Sequence, residues 1–347
     1  MRKRMIGFIL GLVIVIGAGV VLTTFRKPDC SQLSPGQPAE VEVIPIPMAG
    51  PLNQRSAEIS GMDWYGEYLI ILPQYLDHAD GRVMYAIPKS EILKALQEPS
   101  APPIEPIRIP VEDQMFGDKD VKDFEGYEAI AFIENQLYLT VEVSSDDGMV
   151  GYLISGEIEP DLSRIVLDVD GRQSIPLPQD IDNLTDEAIL AVGDQLVTIF
   201  EANGAVVNPS PAAQVFDSNL NLARNISFPV MEYRVTDATR LDSSGNFWVL
   251  NTFTLGTYDL DPAEDQIAQQ FGEGCTHSYY HWVERLVELH YEPETGITLS
   301  ETPPIQLALQ GTVLSRNWEA VVRLDDQGFL IASDKYPKTI LGFVPLP

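Results

Sequence analysis

The chain has 347 residues, a formal net charge of −29 and an isoelectric point of about 4.3. Such acidity repels nucleic-acid phosphates and anionic lipid headgroups and suits cations, so no nucleic-acid partner is expected. Hydrophobic residues make up 45% of the chain, with 13 Phe, 13 Tyr and 4 Trp, which excludes a disordered polymer.

The N-terminus begins Met1-Arg2-Lys3-Arg4, and residues 5–25 then carry no charge. That run matches the about 20 apolar residues that cross a hydrocarbon core. The leading bases favour a cytoplasmic N-terminus with the bulk of the chain outside. The reading is an N-terminal membrane anchor over residues 1–25, giving a single-pass, extracytoplasmic protein. A cleaved signal peptide is the alternative and would give a secreted form. Residues 26–39, rich in Pro, Ser, Gln and Gly, read as a linker. Setting aside the five bases in or beside the anchor leaves 17 basic against 51 acidic residues. Two cysteines cannot build a disulfide scaffold, and Cys30 and Cys275 could form one bridge or remain two unrelated thiols.

From residue 40 onward a short motif recurs. An acidic or polar residue and a small residue open an apolar run, and a polar residue follows about fourteen positions later. Glu128-Ala129-Ile130 leads to Glu142, and Glu187-Ala188-Ile189 leads to Glu201. Asp237-Ala238-Thr239 leads to Asn251, and Glu319-Ala320-Val321 leads to Asp334. Ser60-Gly61-Met62 leads to Gln74, and Glu284-Arg285-Leu286 opens a degenerate copy. Turn residues such as Gly193-Asp194 and Ser244-Gly245-Asn246 split each unit, so each reads as a β-hairpin. The opening and closing polar residues then lie at one edge. The openings at 60, 128, 187, 237, 284 and 319 are spaced like propeller blades. The expected fold is therefore all-β, a six-bladed β-propeller over residues 40–347. The last blade is short of a strand, and residues 41–46 before the first repeat are expected to supply it and close the ring. Small residues at the second position fit crowding near a central axis; Arg285 breaks that rule.

These openings resemble the phytase-like β-propeller family, the one labelled "esterase-like activity of phytase". The matching segments are Ile59-Ser60-Gly61-Met62, Asp123-Phe124-Glu125-Gly126, Asn183-Leu184-Thr185-Asp186-Glu187-Ala188, and Asn317-Trp318-Glu319-Ala320 with Ser333-Asp334-Lys335. The resemblance implies a propeller that hydrolyses phosphoric or carboxylic esters.

Arranged around an axis, the hairpins bring Glu128, Glu142, Glu187, Glu201, Asp237, Glu319 and Asp334 to one channel, with Gln74 and Asn251. Two carboxylates about 6 Å apart repel by roughly 3 kcal/mol at an effective dielectric near 20. A cation would relieve that repulsion. Oxygen ligands without thiolate or imidazole select calcium, the expected cofactor. Phosphoester chemistry also needs cationic clamps, for which Arg55, Arg316 and Lys335 are the candidates. Cys275, His277 and His281 make a zinc set without a fourth ligand. No Gly-x-Ser-x-Gly elbow supports a serine hydrolase. The expected function is a metal-dependent phosphoesterase or esterase acting on a small molecule. The alternatives are a non-catalytic propeller that binds a small-molecule or protein ligand around a structural calcium, and a lactonase-like metal hydrolase.

Overall fold

The computed structural model describes residues 28–30, 36–79, 81–112, 123–254, 260–310, 316–335 and 338–347. The N-terminal segment supplies β1 (Glu40–Val41) and β2 (Ile44–Ile46). Blade one holds β3 (Ile59–Tyr65), β4 (Tyr68–Pro73), β5 (Val83–Pro88) and, after helix α1 (Lys89–Gln97), β6 (Ile107–Glu112). Blade two holds β7 (Asp123–Ile133), β8 (Gln136–Ser145), β9 (Gly148–Ile158) and β10 (Ile165–Ile175). Blade three holds β11 (Asp186–Val192), β12 (Gln195–Phe200), β13 (Ala212–Asp217) and β14 (Leu222–Ser227). Blade four begins with β15 (Arg234–Ala238) and β16 (Asn246–Phe253). Helices α2 (Gln266–Phe271) and α3 (Cys275–Tyr280) follow, then β17 (Val283–Glu292), β18 (Gly296–Leu299) and β19 (Ile305–Leu307). Blade five holds β20 (Trp318–Leu324), β21 (Gly328–Ser333) and β22 (Ile340–Pro345).

The ring has five blades, not six. Innermost strands β3, β7, β11, β15 and β20 touch in that cyclic order, and β20 closes on β3. The degenerate opening at Glu284 is not a blade start. It lies in β17, the third strand of blade four, where Arg285 pairs with Asn251 of β16. Its repeat-like pattern comes from a strand buried on both faces that carries the Glu284-Arg285 pair ahead of Leu286 and Val287.

Alternation along each strand sends one set of side chains to each neighbouring blade. Ile70 and Leu72 of β4 pack toward blade two, while Leu69 and Ile71 pack toward blade five. Further apolar clusters fill the spaces between blades two and three, three and four, and four and five. The core is thus five wedges around an axis. Crowding there is evident at Gly61, where an added Cβ would lie 3.2 Å from the Ile130 backbone nitrogen.

The N-terminal segment closes the ring. Strand β2 pairs antiparallel with β22, so blade five reads β20-β21-β22-β2, with Ile44 opposite Phe343. Strand β1 goes instead to blade four, parallel to β19. The two cysteines pair: Cys30 is bonded to Cys275 of α3. Glu40 strengthens the same junction, accepting from the Thr276 amide and hydroxyl at 2.8 Å each and bonding His277 Nδ1 at 2.9 Å. Two members of the zinc set are therefore committed: the Cys275 sulfur is in the disulfide and the His277 imidazole is bonded to Glu40 and Glu284. The predicted anchor lies outside the described residues, and among those described no helix is long and apolar enough to cross a membrane.

This junction spans 245 residues of sequence. Cys30→Ser, or reduction of the wild type, should cost about 2–5 kcal/mol and lower the melting temperature. An unchanged melt after complete reduction would show that β1 and β2 hold the closure without the bridge.

Candidate functional site

The acids reach the channel through a repeated backbone irregularity. The first hairpin of each blade slips register near its start: at Ser60, at Glu128-Ala129, at Glu187, at Thr236 and at Glu319. A bulge leaves its extra residue outside the ladder and re-aims the side chain. Blades two, three and five place a glutamate there. Blades one and four place a hydroxyl, and each hydroxyl ties to the next blade. Ser60 Oγ donates to the Tyr127 carbonyl at 2.6 Å, and Thr236 Oγ1 donates to the Trp318 carbonyl at 2.7 Å. Each accepting carbonyl belongs to the residue just before a bulge glutamate. In blade two the freed Ala129 amide donates to Thr140 Oγ1 at 3.0 Å.

Glu128, Glu142, Glu187, Glu201 and Glu319 are all buried. The group among them is a guanidinium that sequence reasoning missed. Arg234 Nη2 donates to both oxygens of Glu187 at 3.1 Å and to those of Glu319 at 3.2 and 3.4 Å. Its Nε pairs with Glu201, and Nη1 donates to Asn317 Oδ1 at 2.9 Å. Asn251, matched with Asp237 in the sequence reading, donates instead to the carbonyls of Glu232 and Arg234 and steadies this turn. The signal that could have found Arg234 is local. Blade four lacks a bulge glutamate, and two positions before its bulge stands a base in an otherwise acidic repeat.

Other sequence candidates are placed differently. Asp237 is one residue past its bulge and braces a neighbour, accepting from the Ala238 amide at 2.8 Å and the Val321 amide at 2.6 Å. Asp334 donates its amide to the Asn317 carbonyl, and its charge acts on Glu187 and Glu319. Gln74 Nε2 donates to Glu128 at 3.4 Å. That approach needs Gly126, where an added Cβ would come within 2.4 Å of the Gln74 side chain. The three clamp candidates are not gathered at the acids. Arg316 is buried against Glu284 at 2.7 Å and the Ala308 carbonyl. Lys335 pairs with Glu58 at 2.7 Å, and Arg55 donates to the Lys335 carbonyl.

Electrostatics follow from one cation among several buried acids. Burial, then the charges of Glu142, Glu187 and Glu319, hold the Glu128 carboxyl well above its usual range. Burial and Glu187 push Glu142 up to about 7. Burial also raises Glu187 and Glu319, and Arg234 offsets part of it. Burial works against the charge of Arg234, but Glu319 and Glu187 outweigh it and keep it protonated. At the opposite channel mouth Arg240 of blade four crosses to blade one, bonding Asp63 at 2.7 and 2.8 Å beside a cavity of about 320 Å³.

These residues do not fit the expected calcium. Three of the proposed ligands are bonded to Arg234, and among the described residues no group of three or more His, Cys, Asp or Glu is arranged to hold a metal ion.

No family model and no curated protein matches the chain. Solved structures with a similar chain path include a putative glycoside hydrolase from Parabacteroides distasonis, at 10% identity and TM-score 0.47, over 89% of this chain and 95% of that one. A mutant of the α-L-arabinanase from Cellvibrio cellulosa matches at 11% identity and TM-score 0.46, over 88% and 91% of the two chains. The catalytic domain of the Coprinopsis cinerea GH62 α-L-arabinofuranosidase matches at 8% identity and TM-score 0.47, over 89% and 98%. At these scores no residue role or activity transfers. The resemblance to phytase-like propellers is not borne out: no family model, of that family or any other, matches the chain. Three of the repeated acids that carried it, Glu128, Glu187 and Glu319, sit at the bulge of their blade's first hairpin.

Two outcomes test this electrostatic picture. Arg234→Met leaves buried carboxylates without their cation and should cost about 3–5 kcal/mol; millimolar calcium or a chelator should leave the wild-type melt unchanged. Separately, Glu142 and Asp186 are both pushed up to about 7 by burial. Carboxyls raised in the folded state bind extra protons there, so stability is full below their unfolded values and falls as pH rises toward 7. Melting temperature should therefore decline from pH 5 to 7, and Glu142→Gln with Asp186→Asn should flatten the decline. A wild-type melt that rises over this window would contradict the assignment.

Proposed function

We propose that the protein is an extracytoplasmic hydrolase that cleaves a neutral, hydroxyl-rich substrate at a glycosidic bond, using carboxyl acid–base chemistry at the Arg234 mouth. The observation that carries this reading is the contrast between two neighbouring glutamates. Burial and the charges of Glu142, Glu187 and Glu319 raise Glu128 well above its usual range, and the bond from Gln74 offsets only part of it. Glu187 is raised by burial too, but both its oxygens accept from Arg234, which offsets part of that rise. Carboxyls whose environments drive them apart are suited to opposite roles at one pH.

Glycosidic cleavage needs that division of labour. Glu128 donates its proton to the leaving oxygen as the acetal C–O bond breaks. Glu187 takes a proton from the attacking water, whose oxygen forms the new C–O bond. Arg234 is a positioning residue that fixes Glu187 and favours its charged form against burial. An anionic phosphoester fits poorly, since the mouth is acidic and Arg316 and Lys335 are already paired. The bridge between Cys30 and Cys275 supports an oxidising compartment, in keeping with an anchored or secreted chain.

The second reading is a non-catalytic propeller in which Arg234 is a brace. It draws on the burial of Arg234 and its bonds to blades three and five. A panel of 4-nitrophenyl glycosides and plant oligosaccharides separates the two. Turnover should fall about 10²- to 10⁴-fold in Glu128→Gln and in Glu187→Gln, with both variants folded. Activity should also fall on the alkaline side as Glu128 loses its proton. Undiminished turnover in both variants would sink the acid–base assignment. No turnover on any substrate by the wild type would leave the brace.

A further inference from the structure

A second recess lies on the same side of the ring. Strand β15 begins, β16 ends and β17 begins at the acidic edge, so residues flanking these three ends meet there. They are Tyr233, Phe253 and Trp282. The Tyr233 and Phe253 ring centroids are 4.9 Å apart, and Phe253 and Trp282 are 6.1 Å apart. With α2 and α3 they line a cavity of about 230 Å³. Its polar wall includes Arg285, Asp265 and Gln306.

Tyr233 is a bulky residue in the left-handed region, at φ 73°. Such a conformation is strained for a large side chain and persists only where the surroundings impose it. Here the surroundings are Phe253 on one side and the Arg285 guanidinium, 5.6 Å from the ring centroid. Arg285 is itself fixed by Asn251 at 2.8 Å and by Asp265 at 2.7 and 3.1 Å. Tyr233 directly precedes Arg234, so the strained turn sets both the aromatic wall and the guanidinium of the acidic mouth.

We propose that this recess is a binding subsite for one ring of a neutral saccharide whose scissile bond lies at the Arg234 mouth. Sugar rings present C–H faces that stack on aromatic rings, and hydroxyls that bond a polar wall. The cavity is smaller than the about 300 Å³ of pockets that enclose drug-sized ligands, so it takes one ring and not a chain. An organic cation is disfavoured although the aromatic walls and Glu273, which also lines the cavity, could attract one. Arg285 already lies over Tyr233, and Asp265 is committed to Arg285 and to the first turn of α2. The choice of saccharide rests on the hydrolase reading; the recess as a binding site does not.

The test uses the full chain, as wild type and as Glu128→Gln so that turnover does not consume the ligand. Malto-, cello-, xylo- and arabino-oligosaccharides of two to six units are titrated by calorimetry and tryptophan emission. Trp248 and Trp318 are buried and Trp64 lines the opposite mouth, so Trp282 reports the recess. At least one series should bind and change the emission. Tyr233→Leu and Trp282→Leu should each weaken it at least tenfold, and Trp64→Phe should not. Binding of this pattern without hydrolysis supports the recess while defeating the hydrolase reading. The proposal is overturned if none of the four series binds, if binding survives both leucine variants, or if tetramethylammonium occupies the recess in preference to every saccharide.

Discussion

A single buried guanidinium sets the character of the acidic mouth. Arg234 meets Glu187, Glu201 and Glu319, yet Glu128, Glu142 and Asp334 share the same region. At an effective dielectric near 20, one ion pair at close contact is worth roughly 4 kcal/mol, against a desolvation penalty of several kcal/mol for each ion. One cation therefore cannot keep all these carboxyls charged. The remainder are neutral by protonation or raise the energy of the fold. Proton storage is a consequence of this arithmetic, and it is what makes the mouth suited to acid–base work.

The backbone decides which blades contribute acids. A bulge at the same place in every first hairpin gives the ring five positions aimed out of the ladder. A hydroxyl there ties one blade to the next, as Ser60 and Thr236 do. A glutamate there gives up such a tie for charge. The two hydroxyl blades each precede a glutamate blade and hold the carbonyl next to that glutamate, so blades one and four brace the glutamates of blades two and five, while blade three follows another glutamate blade. Blade four adds two arginines, Arg234 and Arg240, that cross the channel near opposite ends of β15.

Much of the propeller was legible because its signals are local. Short apolar runs, turn residues and the repeated small residue identify hairpins around an axis, and the unpaired last blade points to an N-terminal partner strand, which β2 supplies. The blade number was not legible. Glu284-Arg285-Leu286-Val287 imitates an opening because a doubly buried strand with a charged pair has the same composition. Most of the acids that meet at the mouth were legible as a repeat, but Asp237 was aligned one residue late, since a bulge shifts register without changing the pattern of residue types. Arg234 was hidden for a different reason. A repeat argument finds what recurs, and the residue that neutralises a symmetric cluster occurs once.

The N-terminal segment links closure of the ring to the shape of its acidic side. Strand β2 completes blade five, while β1, Glu40 and Cys30 fasten blade four and α3. Burial raises the Glu40 carboxyl, but the bonds from His277 and Thr276 outweigh it and hold it below its usual range. It is thus an ionised anchor for the start of α3. His277 also bonds Glu284, which receives Arg316 and Trp318 from blade five. A continuous polar path therefore runs from the N-terminal segment through α3 to the strand that carries Glu319. Loosening that segment would open an edge of the ring and also unfasten the helix that walls the aromatic recess, so closure and site geometry rest on the same few contacts.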